Sequence, residues 1–322
     1  MAFAQAIIHK DVEQLRYCLE YGVAFESPVD IYRLIARLDT PLCLASRVGF
    51  LKGIELLLEH GMKPNDPCEQ NITPLHLATY TNSLSIVRLL CDHGADVNAR
   101  TENVKDTPLH YATIYGSLDM CKELVERGAD IRALNRDNQM PFHSCLDRLH
   151  LLEFFFQLDS TLVHACNMYG MPPICEVESV ELVRLCIRYG ANVHASNING
   201  VTALHRACVK NRPLEMIQIL IEHGADVNAV TSYGQTPFGI AWSGSDETLT
   251  PEICILLEHG ARPYPMLQYF PKGRLTALQE RYKMNVFIQL VVACIRFKRT
   301  GSSLFLLLLP VELIRVLHTF LR

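Results

Sequence analysis

The sequence predicts an all-α protein, a solenoid of about eight stacked helical pairs followed by a small C-terminal helical module. Three features predict it. A unit that opens Thr-Pro-Leu-His and closes Gly-Ala-Asp recurs along the chain. Apolar residues inside each unit fall at helical spacing. Both ends of each unit carry helix start and stop residues.

The clearest unit is Thr73 to Asn98, TPLHLATYTNSLSIVRLLCDHGADVN. Thr73 suits an N-cap, and Pro74 suits the first helical position, which needs no amide hydrogen. Leu75, Leu77 and small Ala78 supply the buried side of the first helix. Ile86, Val87, Leu89 and Leu90 do so for the second. Gly94 ends it, because a left-handed residue costs a non-glycine roughly 1 kcal/mol. Asp96, Val97 and Asn98 start an extended turn into the next unit.

Thr107-Pro108-Leu109-His110 with Gly128-Ala129-Asp130 lies 34 residues on. Thr202-Ala203-Leu204-His205 with Gly224-Ala225-Asp226, and Thr236-Pro237-Phe238 with Gly260-Ala261, repeat the unit. Thr40-Pro41-Leu42 with Gly61 is an earlier copy. These motifs resemble ankyrin repeats, whose period is about 33 residues. The resemblance implies an ankyrin solenoid over residues 1–262.

Taken in order, residues 2–26 read as a first, degenerate repeat, with Ala6, Ile7, Leu15 and Leu19 apolar. Phe25 to Asp39 exceeds a standard finger and has room for an extra helical turn. The fifth unit is worn: Met140-Pro141-Phe142-His143 replaces the threonine start, and Leu151 to Leu158 lacks a closing glycine. The sixth, from Met171-Pro172-Pro173 to Gly190, leaves little room for a first helix. Around these units the step shortens to 31 residues, and altered curvature is expected there.

After Ala261 the repeat pattern stops. Residues 263–271 form a linker with Pro263, Pro265 and Pro271, and residues 272–322 a separate helical module. Its helices are expected over about Leu275 to Lys298 and from Pro310 to the end. The module is too apolar for a polar terminal cap. Its run Val286 to Ile295 is about half a membrane span and is followed by Arg296, Lys298 and Arg299. No membrane partner is therefore expected, and either the module packs back on the array or it docks other helices.

Ankyrin array, linker and terminal helical box together resemble the ankyrin-repeat and SOCS-box family. That resemblance implies a substrate-recognition subunit of a cullin-RING ubiquitin ligase. Its box would dock elongin B/elongin C through Leu275 and Leu278. A cullin scaffold would meet Leu309-Pro310, with Leu313 and Leu317 on the last apolar face. Arg274 and Gln279 stand where the family has serine and cysteine. Leu309-Pro310-Val311-Glu312 also resembles the opening of an F-box, which leads to a ligase through another adaptor.

The formal net charge of -4, without a basic run, excludes a nucleic-acid partner. The twelve cysteines contain no Cys-x-x-Cys pair, and many sit inside helices. They read as reduced core thiols of a cytoplasmic or nuclear protein. The opening MAFAQAIIHKD lacks the charged and apolar regions of a signal peptide.

No catalytic or phosphate-binding motif is present, so no enzyme activity, cofactor or metal is expected. His76, His110 and His205 recur in the TPLH-type turn and are placed to bond across it and between repeats. His60, His93, His223 and His259 precede helix-ending glycines, where a partly cationic ring suits the negative helix end. Asn98 and Asn228 resemble asparagines that some ankyrin proteins present for hydroxylation, and a role in the turn is expected first.

Binding of an unknown target protein is left to the array. By register, exposed first-helix ends include Tyr80, Tyr115, Lys210 and Trp242, and finger tips include Arg100, Arg136 and Tyr233. Aromatic residues and arginine are the usual anchors of such surfaces.

Overall fold

The computed structural model describes residues 2–23, 40–209, 212–243 and 250–262. The Phe25 to Asp39 insertion lies outside them, as do the linker and the whole C-terminal module. Among the described residues every named element is helical, and one isolated bridge joins Ser196 to Thr202. The chain divides into two compact units, Met1–Met168 and Tyr169–Arg322.

The first unit holds helical pairs α1 (Ala2–Ile8) with α2 (Val12–Glu20) and α3 (Pro41–Val48) with α4 (Leu51–Glu59). Then follow α5 (Pro74–Tyr80) with α6 (Leu84–Asp92), and α7 (Pro108–Tyr115) with α8 (Leu118–Glu126). First helices stack in a row: α1 on α3, α3 on α5, α5 on α7. Second helices α2, α4, α6 and α8 form a parallel row. Each layer buries what the pattern marked. Leu75, Ala78, Val87 and Leu90 are wholly buried, whereas Leu89 is only half-buried.

The fifth repeat departs from the others. Its first helix is a short 3-10 turn, Pro141–Cys145, followed by α9 (Leu149–Leu158) and a second 3-10 turn, Ser160–His164. Met140 has no hydroxyl to cap the turn, although α4, α9 and α13 form regular helix without a side-chain cap. Phe142, Phe155 and Phe156 fill the core instead.

The second unit contains α10 (Pro173–Glu176) with α11 (Val180–Arg188), and α12 (Ala203–Ala207) with α13 (Leu214–Glu222). It ends with α14 (Pro237–Ser243) and α15 (Pro251–Glu258). The four-residue α10 matches the short span available after Pro172-Pro173. Here too first helices α10, α12 and α14 stack in order, as do second helices α11, α13 and α15.

The Gly-Ala-Asp-Val-Asn ending has a physical explanation. Gly94 turns left-handed at φ +85° and stops α6. The Asp96 carboxylate accepts the Asn98 amide at 2.9 Å and fixes the turn. Asn98 then clamps the next repeat: its Nδ2 donates to Gly128 O at 3.0 Å, and its Oδ1 accepts from Asp130 N at 2.8 Å. Asn65 does the same to Gly94 O and Asp96 N (3.0 and 2.7 Å). Asn228 repeats it on Gly260 O and Arg262 N (3.1 and 2.7 Å). Both polar atoms of Asn98 and Asn228 are thus engaged in holding the fold. Replacing Asn98 with alanine removes two exposed bonds and should cost about 1–2 kcal/mol in denaturant unfolding. An unchanged midpoint would show that water substitutes for the amide.

Candidate partner-binding surface

The histidine of each regular TPLH turn builds the rigid base of this surface. Thr73 N–H donates to His76 Nδ1 at 3.2 Å. That ring nitrogen is therefore unprotonated and also accepts the Thr73 hydroxyl at 2.8 Å. The proton sits on Nε2, which donates to Asp106 O of the next repeat at 3.1 Å. His110 reaches Gln139 O (3.1 Å) and His205 reaches Gln235 O (3.2 Å) in the same way. Each neutral imidazole closes its own turn and ties it to the following finger. Burial holds His76 down to about 4, and lowers His110 and His205 as well.

His143 keeps only half of this. Its Nδ1 accepts Met140 N–H at 3.0 Å, and its Nε2 is buried without a hydrogen bond among the described residues. The histidines before the stop glycines act differently. Nδ1 of His60, His93, His223 and His259 lies 2.8–2.9 Å from the carbonyls of Leu56, Leu89, Ile219 and Ile255. Each ring thus adds a second bond to a last-turn carbonyl that already accepts the histidine's own backbone N–H.

Above this base stand the exposed side chains. Tyr80 ends α5 and Tyr115 ends α7. They are 52% and 50% exposed, and their rings meet edge to face at 4.7 Å. Tyr111 continues the aromatic row 6.0 Å from Tyr115. Arg148 supports the end of α7 from below, donating to Thr113 O at 3.0 Å and Gly116 O at 2.8 Å.

The fingers follow a second pattern. Asn135 Oδ1 accepts from Asp137 N and Gln139 N, both at 3.0 Å. Asn197 does so from Asn199 N and Val201 N (3.0 and 2.9 Å), and Thr231 Oγ1 from Tyr233 N and Gln235 N (3.3 and 3.1 Å). Neighbouring tips are then linked: Glu102 N to Gln70 O at 2.7 Å, and Arg136 N to Val104 O at 2.8 Å. Arg100 and Arg136 are exposed on successive fingers, and the Arg100 guanidinium also donates to Leu134 O at 2.8 Å.

Tyr233 stands on a finger of the second unit. Trp242 is half-buried and stacked on Phe238 at 6.0 Å, where the sequence suggested an exposed helix end. Lys210 and the tail residues Leu275, Leu278, Leu309, Pro310, Leu313 and Leu317 lie outside the described residues. Several exposed apolar residues escaped the sequence reading, among them Ile114 on α7 and Ile198 and Val230 on fingers. Aligning Ile198 with Arg136 by finger register would have found it.

Among the described residues the cysteines stand outside any disulfide. Burial pushes the Cys121 and Cys186 thiols up to about 12, far from the thiolate. Among the described residues no cluster of three or more His, Cys, Asp or Glu could hold a metal ion. No helix among them is long and apolar enough to cross a membrane.

Stacked helix pairs joined by fingers, with histidine and asparagine ties between repeats, define an ankyrin array. A family model described as ankyrin repeats matches residues 3–101, 68–135 and 174–265 in three copies, and the chain belongs to that family. The ankyrin repeat protein YahD of Escherichia coli is 30% identical over 216 residues, covering 64% of this chain and 90% of that protein. Human ankyrin repeat and SOCS box protein 16 is 29% identical over 214 residues, 65% of this chain. The match spans only 42% of that human protein's length. Among solved structures, the human ASB11 ankyrin repeat domain superposes with a TM-score of 0.60 at 23% identity. It covers 70% of this chain and 100% of that domain, and it shows the same ankyrin solenoid fold. That fold is an interaction scaffold, and the array is a protein-binding surface.

Proposed function

We propose that the chain is a substrate-recognition subunit of an elongin/cullin-RING ubiquitin ligase, working in the cytoplasm or nucleus. The array binds the target protein, and residues 272–322 dock elongin B/elongin C and a cullin scaffold. The observation that carries this reading is the order of parts. An ankyrin array akin to that of a human SOCS-box protein is followed by a leucine-rich segment with Leu309-Pro310 twelve residues before Arg322. Such a subunit does no chemistry itself. It raises the effective concentration of the target near a ubiquitin-loaded enzyme.

Co-purification tests this. The full chain should bring down elongin B/elongin C, and a chain ending at Tyr269 should not. Leu275→Ala combined with Leu278→Ala should lower recovery at least about tenfold, as for paired anchor residues, and leave the array's melting midpoint in place. Recovery of an F-box adaptor instead would favour the Leu309-Pro310-Val311-Glu312 reading. If no adaptor is recovered and the double variant melts earlier, the tail merely packs on the array and the protein is a plain scaffold.

A further inference from the structure

The two units differ in the chemistry of their finger tips. In the first unit the fingers from Lys63 to Asp137 are charged, with Lys63 and Glu69, Arg100 and Glu102, then Arg132 and Arg136, whereas the finger after α9 has no Asp, Glu, Lys or Arg from Ser160 to Cys175. The second unit has no Asp, Glu, Lys or Arg from Tyr189 to His205, nor from Val227 to Trp242. Finger register makes the contrast specific. Arg136-Asp137 follows the turn-forming Asn135, whereas Ile198-Asn199 follows Asn197 and Ser232-Tyr233 follows Thr231. A charged pair is thus replaced by an apolar and an amide side chain on one finger and by a hydroxyl and an aromatic ring on the next.

Those side chains stand out in the open. Ile198 is 73% exposed, Tyr233 69% and Val230 52%. Large apolar side chains grouped this way on a rigid surface mark interaction sites. The tips are also firmly held. Ile198 N donates to Tyr169 O at 3.3 Å, and Ser232 N to Asn199 O at 2.9 Å. Gly200 permits the close approach: it sits at φ +73°, and a Cβ there would lie 3.2 Å from Val230 O and from Thr231 Cα. A ridge ordered before binding loses little conformational entropy on binding.

We infer that Ile198, Val230 and Tyr233 form a binding ridge for an uncharged, apolar-rich segment of a partner protein. This rests on the reading of the repeats as the target-binding part. Electrostatic match selects the occupant. A charged partner segment would lose water here and meet no opposite charge, while an apolar one gains by burial. Charged groups that flank these fingers in the sequence have partners of their own. Arg206 and Arg212 both pair with Glu178, and Asp226 lies at the base of its finger holding the Asn228 amide.

Random 12-residue peptides displayed on phage and selected on the immobilised full chain supply the probe. The selected peptides should be poor in Asp, Glu, Lys and Arg. Their affinity, read by fluorescence anisotropy on the tightest of them, should change less than about twofold between low and high salt. Ile198→Asp with Tyr233→Asp should weaken it at least about tenfold, as loss of two anchors does. If that double variant melts early, Ile198→Ser and Tyr233→Ser taken singly should each weaken binding at an unchanged melting midpoint. A selection that yields no peptide, charged peptides, strong salt dependence or indifference to these substitutions would overturn the inference. The same peptide measured on the Leu275→Ala, Leu278→Ala chain should bind as to wild type, so the ridge and the ligase reading fail separately.

Discussion

Replacing Phe155 with alanine is expected to destabilise the first unit by about 3–5 kcal/mol, the cost of truncating a wholly buried aromatic. Phe155 lies in α9 beside Leu152 and Phe156, all of them buried. Phe142 approaches the ring of Phe156 at 6.2 Å. This repeat lacks the hydroxyl cap and the cross-repeat Nε2 bond of the repeat before it, so aromatic packing carries more of its stability. Phe154, half-buried and edge to face with Phe155 at 5.5 Å, is the internal comparison. Its alanine variant should cost clearly less. Denaturant unfolding of both variants checks the assignment, and equal losses would mean that α9 is rotated from the placement described.

Acidification is the second large effect. The folded chain keeps His76 neutral down to about 4, against an ordinary value near 6.5 in the unfolded chain. Burial is the main cause, since charging the ring would require desolvating a cation. It would also place a proton on Nδ1 facing the Thr73 N–H. Between those two values the unfolded chain binds more protons than the folded one. The stabilisation is therefore complete above about pH 6.5 and lost as pH falls toward 4. By pH 5 His76 alone should have lost roughly 2 kcal/mol. His110 and His143 are lowered for the same reason and act in the same direction.

His76→Gln isolates the effect. Glutamine at this position can still complete a capping box with Thr73, yet it does not titrate. The variant should show a flatter fall in denaturant midpoint between pH 7 and 5 than the native chain. Parallel curves would show that carboxylates or other histidines govern acid sensitivity.

The legible and illegible parts of this protein divide along a physical line. Helix caps, stop glycines and buried stripes are local, so they are written within one turn of chain. Thr73, Gly94 and Leu75 do in the structure what their spacing implies. The role of His76 was legible as well, because its donor and acceptor sites match one turn and one repeat length. The rows of Tyr80 with Tyr115, and of Ile198 with Val230 and Tyr233, are different. Repeat register places such residues at helix ends and finger tips, but which side chains meet is set by packing across some thirty residues. Nor did the sequence indicate that the amides of Asn65, Asn98 and Asn228 reach into the next repeat.

By itself the sequence determined the repeat, its helices, its caps and the all-α class, because each follows from periodicity and backbone propensity. Only the tertiary structure decided that Leu89 and Trp242 are half-buried, that the fifth first helix becomes a 3-10 turn, and that one unit carries an uncharged ridge. Those outcomes are set by the packing of one repeat on the next. Burial and side-chain pairing there are properties of the assembled stack rather than of any single segment.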